Sequence, residues 1–275
     1  MTIRDQAYQR KPLDVFIIDA HTHITPYYKS GWHQPPEQTT LKAFIDTYDR
    51  LGIDCCVTAP HALVDAMTTE ANQAAADAAK EYPGRIYGYI SVAPFGGLSI
   101  LKQNLSRFGA NPAFVGLKFL GGYNGDYTDP VYRYATDFAN EAGCPLLCHT
   151  WADNPSLAVM REMAETHPNL HLICAHLGGG SKSLTLKAVQ IVRQVPNFHL
   201  ETCGSLCNEI AYEELVDMIG ADRIIFGTDA INLGTNFDFG RVAFSPLPDA
   251  DKEKIFATNY LDLLKKSQMG KITRP

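Results

Sequence analysis

Long apolar runs are absent from this sequence of 275 residues, and no stretch approaches the ~20 residues that a membrane-spanning helix needs. Basic blocks are absent too. The 24 Lys and Arg are outnumbered by 30 Asp and Glu, a net charge of −6, which argues against nucleic acid as a partner and favours solubility. The opening residues, MTIRDQAYQRKPLDVF, carry neither the apolar core nor the small-residue cleavage site of a secretory signal, so the expected compartment is the cytoplasm. A G-x-S-x-G elbow is missing, which speaks against a serine hydrolase. The glycine-rich HLGGGSKSL (176–184) lacks the P-loop pattern, so nucleotide binding is not expected, although such a turn into a helix start could take a substrate carboxylate. No linker or composition break appears, and the expectation is one domain over residues 1–275.

The seven cysteines are odd in number and lie mostly in or beside apolar runs, which reads as buried free thiols rather than a disulfide framework. Cys203 and Cys207 form C-x3-C, a weak metal signal without a second pair nearby. Cys148 reads as a core thiol rather than a nucleophile.

What is present is alternation. Strand-like runs at 15–20, 54–60, 85–92, 114–120, 145–150, 170–176, 197–203 and 223–229 are each followed by a helix-like segment, at 41–52, 68–82, 97–109, 130–143, 155–167, 181–194, 208–219 and 250–266. In the first helix Leu41, Phe44, Ile45, Tyr48 and Leu51 fall at helical spacing, and Gly52 stops it. Alternating βα units imply a parallel sheet with right-handed crossovers. Eight of them in this length predict a (β/α)8 TIM barrel, of the α/β class. A doubly wound open sheet is the alternative, but the first strand is followed by HTHITPYY, without the glycine fingerprint of such folds.

A barrel of this kind builds its active site at the carboxyl ends of its strands. His21 and His23 end strand one, His149 strand five, His176 strand six and Asp229 strand eight; Lys118 lies on strand four and Glu201 on strand seven. Residues i and i+2 of a strand share a side, so His21 and His23 both aim at the barrel mouth. With His149 and Asp229 they make three imidazoles and a carboxylate with room for water, the donor set of a catalytic rather than a closed structural metal site. His33, His61, His167, His171 and His199 read as loop or structural histidines, with His61 able to line the pocket.

DAHTHI after strand one, LLCHT on strand five, LICAHLGG on strand six and RIIFGTDA on strand eight resemble the amidohydrolase superfamily, and within it the group that includes aminocarboxymuconate-semialdehyde decarboxylase. KIFATNYLDLLKK is similar to that group's closing helix. The resemblance implies His21, His23 and His149 as metal ligands, and Asp229 as ligand or contact to its water and as general base. It implies His176 as a catalytic residue, or as ligand to a second ion together with Lys118. Zinc is the first expectation and manganese the second, and a homodimer is implied as well.

Metal-activated water attacking a small amide, lactone or ester is therefore the first expected reaction. Decarboxylation of a small unsaturated or aromatic acid is the second, with Asp229 and His176 handling protonation at carbon. Tyr27, Trp32, Tyr123 and Trp151, with Lys118, are the expected substrate contacts.

Overall fold

The computed structural model describes residues 1–24, 40–204 and 209–274. Eight parallel strands run in sequence order: β1 Ile18–Thr22, β2 Cys55–Thr58, β3 Ile86–Val92, β4 Phe114–Phe119, β5 Pro145–Cys148, β6 His171–Cys174, β7 Phe198–Glu201 and β8 Ile224–Ile225. The segment after β8 closes the ring onto β1. Ala20 N–H donates to Phe226 O at 3.0 Å and Asp229 N–H to His21 O at 2.8 Å. The chain is a single-domain TIM barrel.

The helices outside the ring are α1 Ile3–Tyr8, α2 Leu41–Leu51, α3 Thr68–Glu81, α4 Gly97–Gly109, α5 Pro130–Ala142, α6 Leu157–Thr166, α7 Lys182–Gln194, α8 Tyr212–Ile219, α9 Thr235–Ala243, α10 Asp249–Glu253 and α11 Asn259–Leu264. Their apolar faces pack on the strands in one large cluster that includes Phe44, Tyr48, Leu101, Tyr132, Met160 and Val189. None of the described helices is long and apolar enough to cross a membrane.

Helix boundaries follow local chemistry. Thr40 caps α2 by accepting from Ala43 N–H at 3.1 Å, and Gly52 ends it in the left-handed region at φ 80°. Pro130 sits at the start of α5 behind the Asp129 cap. The expected closing helix at 250–266 is instead α10 and α11 joined by a π-turn at Lys254–Thr258. Asn259 donates there to Ala221 O at 2.7 Å and Ile224 O at 2.8 Å, which fastens the end of the chain to β8.

The expected start of β1 is corrected, and two helices stand where none was expected. β1 begins three residues later than residue 15 and takes in His21, because Ile18 is the first residue paired with β2. Helix α9 occupies the loop after β8, and α1 precedes the barrel; neither carries a long apolar periodicity. Helix α1 is held instead by a capping box in which Thr2 and Asp5 exchange bonds, and Ile3 N–H donates to Asp249 Oδ2 at 3.1 Å.

Candidate metal centre

The carboxyl end of β1 sets the site. Asp19 is fully buried and accepts from Tyr48 OH at 2.6 Å, Thr228 Oγ1 at 2.5 Å and the backbone N–H groups of Thr228 and His21 at 3.1 and 3.2 Å. It ties β1, α2 and the loop after β8 together beneath the histidines. His23 Nδ1 lies 2.6 Å from Ala59 O, and a carbonyl can only accept, so Nδ1 carries the proton. His21 Nδ1 lies 3.0 Å from Glu201 Oε2 and donates to that carboxylate. Both lone pairs are therefore on Nε2, and the two Nε2 atoms stand 3.2 Å apart.

Asp229 Oδ1 is 3.3 Å from His23 Nε2 and 4.0 Å from His21 Nε2. Asp229 adopts φ 54°, which turns the chain sharply at the end of the β8 segment. Asn232 donates to its Oδ1 at 3.0 Å, and His61 Nε2 bonds Asn232 Oδ1 at 2.5 Å. Burial pushes the Asp229 carboxyl up to about 7 and holds the His21 and His23 imidazoles well below their usual range. Two lone pairs and a carboxylate converging within 4.8 Å suit a divalent cation, which would relieve the burial cost of the carboxylate and the repulsion between the lone pairs. The donor set fits such an ion.

Lys118 is fully buried beneath this group, with Nζ 2.9 Å from His21 Nε2, and burial lowers its pKa. It is not among the residues that line the cavity above. His149 lies outside the His21, His23 and Asp229 grouping. Its Nδ1 is 3.0 Å from His176 Nε2, and its ring meets His176 edge-on with centroids 4.9 Å apart. Burial pushes His176 down to about 4 and His149 well below the usual range.

The cavity measures about 280 Å³ and is walled by His23, His61, Tyr123, His149, Trp151, His176 and Asp229, with Val64, Leu120, Leu233, Gly204 and Asn232. Trp151 meets His176 edge-on at 5.6 Å, and Tyr123 meets His149 at 5.5 Å. Gly180 makes room for Trp151, since a Cβ there would sit 2.6 Å from the indole. Tyr27 and Trp32, also expected at this wall, lie outside the described residues, as do His33 and Cys207. His61 does line the cavity and stacks on His23, with centroids 5.3 Å apart. The start of α7, considered for a substrate carboxylate, is occupied by the chain itself: Lys182 N–H donates to Glu209 Oε2 at 2.6 Å.

Two residues carried no settled role from the sequence: Glu201, placed on strand seven, and Cys203, with only the weak C-x3-C signal. Glu201 orients His21, and also accepts from Cys203 N–H at 2.6 Å and His176 N–H at 3.4 Å. Cys203 Sγ lies 3.2 Å from His21 Nδ1 and 3.3 Å from His176 Nδ1. A carboxylate behind a ligand-type imidazole is the usual second support of a metal site, and its position two residues before a buried cysteine was the available signal.

Imidazoles and a carboxylate gathered at the strand ends of a closed parallel barrel define a class of barrel enzymes that work at that rim. The chain belongs to the amidohydrolase family, whose model matches residues 18–265. None of the curated proteins matches it in sequence. Solved structures with the same fold include 2,6-dihydroxybenzoate decarboxylase from Rhizobium, at TM-score 0.72 and 18% identity over 91% of this chain and 99% of that one. Another is dihydroxybenzoic acid decarboxylase from Polaromonas sp. JS666 with manganese and 2-nitroresorcinol, at TM-score 0.71 and 18% identity over 91% of this chain and 97% of that one. A third is 5-carboxyvanillate decarboxylase from Novosphingobium aromaticivorans with manganese and a nitrobenzoic acid, at TM-score 0.71 and 16% identity over 93% and 98% of the two chains.

Proposed function

We propose that the protein is a metal-dependent decarboxylase of a small aromatic or unsaturated carboxylic acid. The observation that carries the reading is the convergence of His21 Nε2, His23 Nε2 and Asp229 Oδ1 beside an aromatic-walled cavity. The fold likeness to aromatic-acid decarboxylases, two of them holding manganese, supports it and moves decarboxylation ahead of hydrolysis. A cavity of about 280 Å³ matches a single-ring acid.

His21, His23 and Asp229 would hold the ion, with His149 at the edge of the group, and manganese takes precedence over zinc. A second ion would fall to His176 and Lys118. A divalent ion supplies an electrophile that anchors substrate oxygens and offsets the carboxylate charge. The side chains do the rest. Asn232 holds the Asp229 carboxyl in place, and Trp151 and Tyr123 wall the cavity that takes the substrate ring. Asp229 takes up a proton from solvent by way of His176 and passes it to the carbon that bears the carboxylate, which returns Asp229 to the carboxylate form. The carbon–carbon bond then breaks, its electron pair returns to the ring, and CO2 leaves.

Hydrolysis keeps one observation in its favour. Among the described residues the cavity wall contains no Lys or Arg to receive a substrate carboxylate, and attack of water on a carbonyl needs none. The two readings separate on the manganese-loaded enzyme. Hydroxybenzoic acids should release CO2, and Asp229→Asn should lower that rate by roughly 10²–10⁴-fold. Hydrolysis of lactones or amides with no CO2 from any acid would defeat the proposal.

A further inference from the structure

Behind the rim group lies a second set of donors that share His21. His21 Nδ1, His176 Nδ1, Glu201 Oε2 and Cys203 Sγ fall within 4.8 Å of one another. Four of the spacings between them are 3.0 Å (His21 to Glu201), 3.0 Å (Cys203 to Glu201), 3.2 Å (Cys203 to His21) and 3.3 Å (Cys203 to His176). A tetrahedral ion with ligands at about 2.0–2.3 Å has ligand–ligand edges of about 3.3–3.7 Å, so a shift of a few tenths of an ångström per side chain would close this set. All four residues are buried, at 0–3% exposure.

The geometry points to a closed site for a thiophilic divalent ion such as zinc, formed by His21, His176, Glu201 and Cys203 and exclusive of occupancy at the rim. The softness of the donors selects the ion: a thiolate and two imidazoles favour zinc or cadmium, whereas the rim set of two imidazoles and a carboxylate also suits manganese. The exclusivity follows from His21. A neutral imidazole has one lone pair, on Nε2 when the rim is served and on Nδ1 when the inner set is served. Binding at the inner set moves the His21 proton from Nδ1 to Nε2, and releases the Cys203 thiol proton to solvent as the thiolate forms. His176 Nε2 lies 3.0 Å from His149 Nδ1, and its Nδ1 faces Cys203, so binding here would also place the His176 proton on Nε2. With four protein ligands the ion has no open position, so it would silence the rim rather than serve it.

This inference concerns ion binding and does not need the decarboxylase reading. Metal-free full-length protein titrated with Cd²⁺ should develop thiolate-to-cadmium absorption in the ultraviolet that saturates at one equivalent. Manganese bound beforehand should be expelled in step, read by the growth of the free Mn²⁺ spin-resonance signal. Cys203→Ser should lose the absorption and still bind manganese. No absorption in the wild type, or absorption that survives in Cys203→Ser, would overturn the site, and manganese that stays bound would overturn its exclusivity. Should the variant fail to fold, X-ray absorption of the zinc-loaded wild type decides: one sulfur at ~2.3 Å is expected, and a shell of nitrogen and oxygen alone contradicts it.

Discussion

Glu201 works at the residue scale through its charge. Its carboxylate accepts from His21 Nδ1 and from the backbone of Cys203 and His176, and so fixes which nitrogen of His21 faces the rim. Glu201→Gln keeps the shape and removes the charge; manganese affinity, measured by spin resonance, should fall roughly 10–100-fold. Unchanged affinity would mean that Glu201 is a packing residue only. Asp238 makes a different point. It is fully buried, neither carboxyl oxygen has a hydrogen-bond partner among the described residues, and Arg241 Nη1 lies 3.8 Å away. Burial pushes its carboxyl up to about 9. The folded chain therefore keeps a proton that the unfolded chain loses near pH 4, and stability falls as pH rises between those values. Thermal melts from pH 5 to 8.5 should show Asp238→Asn losing less stability with rising pH than the wild type; equal slopes would contradict this. The histidines and Asp229 could be read individually from the sequence because each ends a strand-like run. Glu201 was placed on its strand without a role and Cys203 gave only a weak metal signal, because the contact that defines each, to His21 Nδ1, is set by side-chain packing across the barrel and not by the local run.

At the scale of elements, the turn after β8 must pass close to β1 and β7. Gly227 allows it: a Cβ there would sit 2.8 Å from His21 Cβ and collide with the Glu201 carboxylate. Gly227→Ala should displace Glu201 from His21 and weaken manganese binding by an order of magnitude or more, while circular dichroism stays that of the wild type. Wild-type affinity in the alanine variant would show that this close approach is not needed. Element type was legible wherever periodicity was strong; α4 runs over the expected residues 97–109. Boundaries were less so. Ile18 opens β1 because pairing with Cys55 begins there, a fact of the partner strand and not of the local run. Helix α9 lay hidden because its first turn, with Thr235 and Asp238, looks like loop composition.

For the whole molecule, the alternation of βα units was the decisive signal. It placed residues more than 200 positions apart on one rim, and His23 and Asp229 do meet there at 3.3 Å. Hydrolysis came first from the sequence because no cation for a departing carboxylate was placed decisively at the strand ends, and the likeness in fold extends to decarboxylases at 16–18% identity. Both readings stand on the same claim, that the rim holds a divalent ion. Crystals of the manganese-loaded protein, measured near the manganese absorption edge, test it most directly. An anomalous peak is expected within about 2.0–2.4 Å of His21 Nε2, His23 Nε2 and an Asp229 oxygen. A fully loaded crystal with no peak among those three atoms would contradict it.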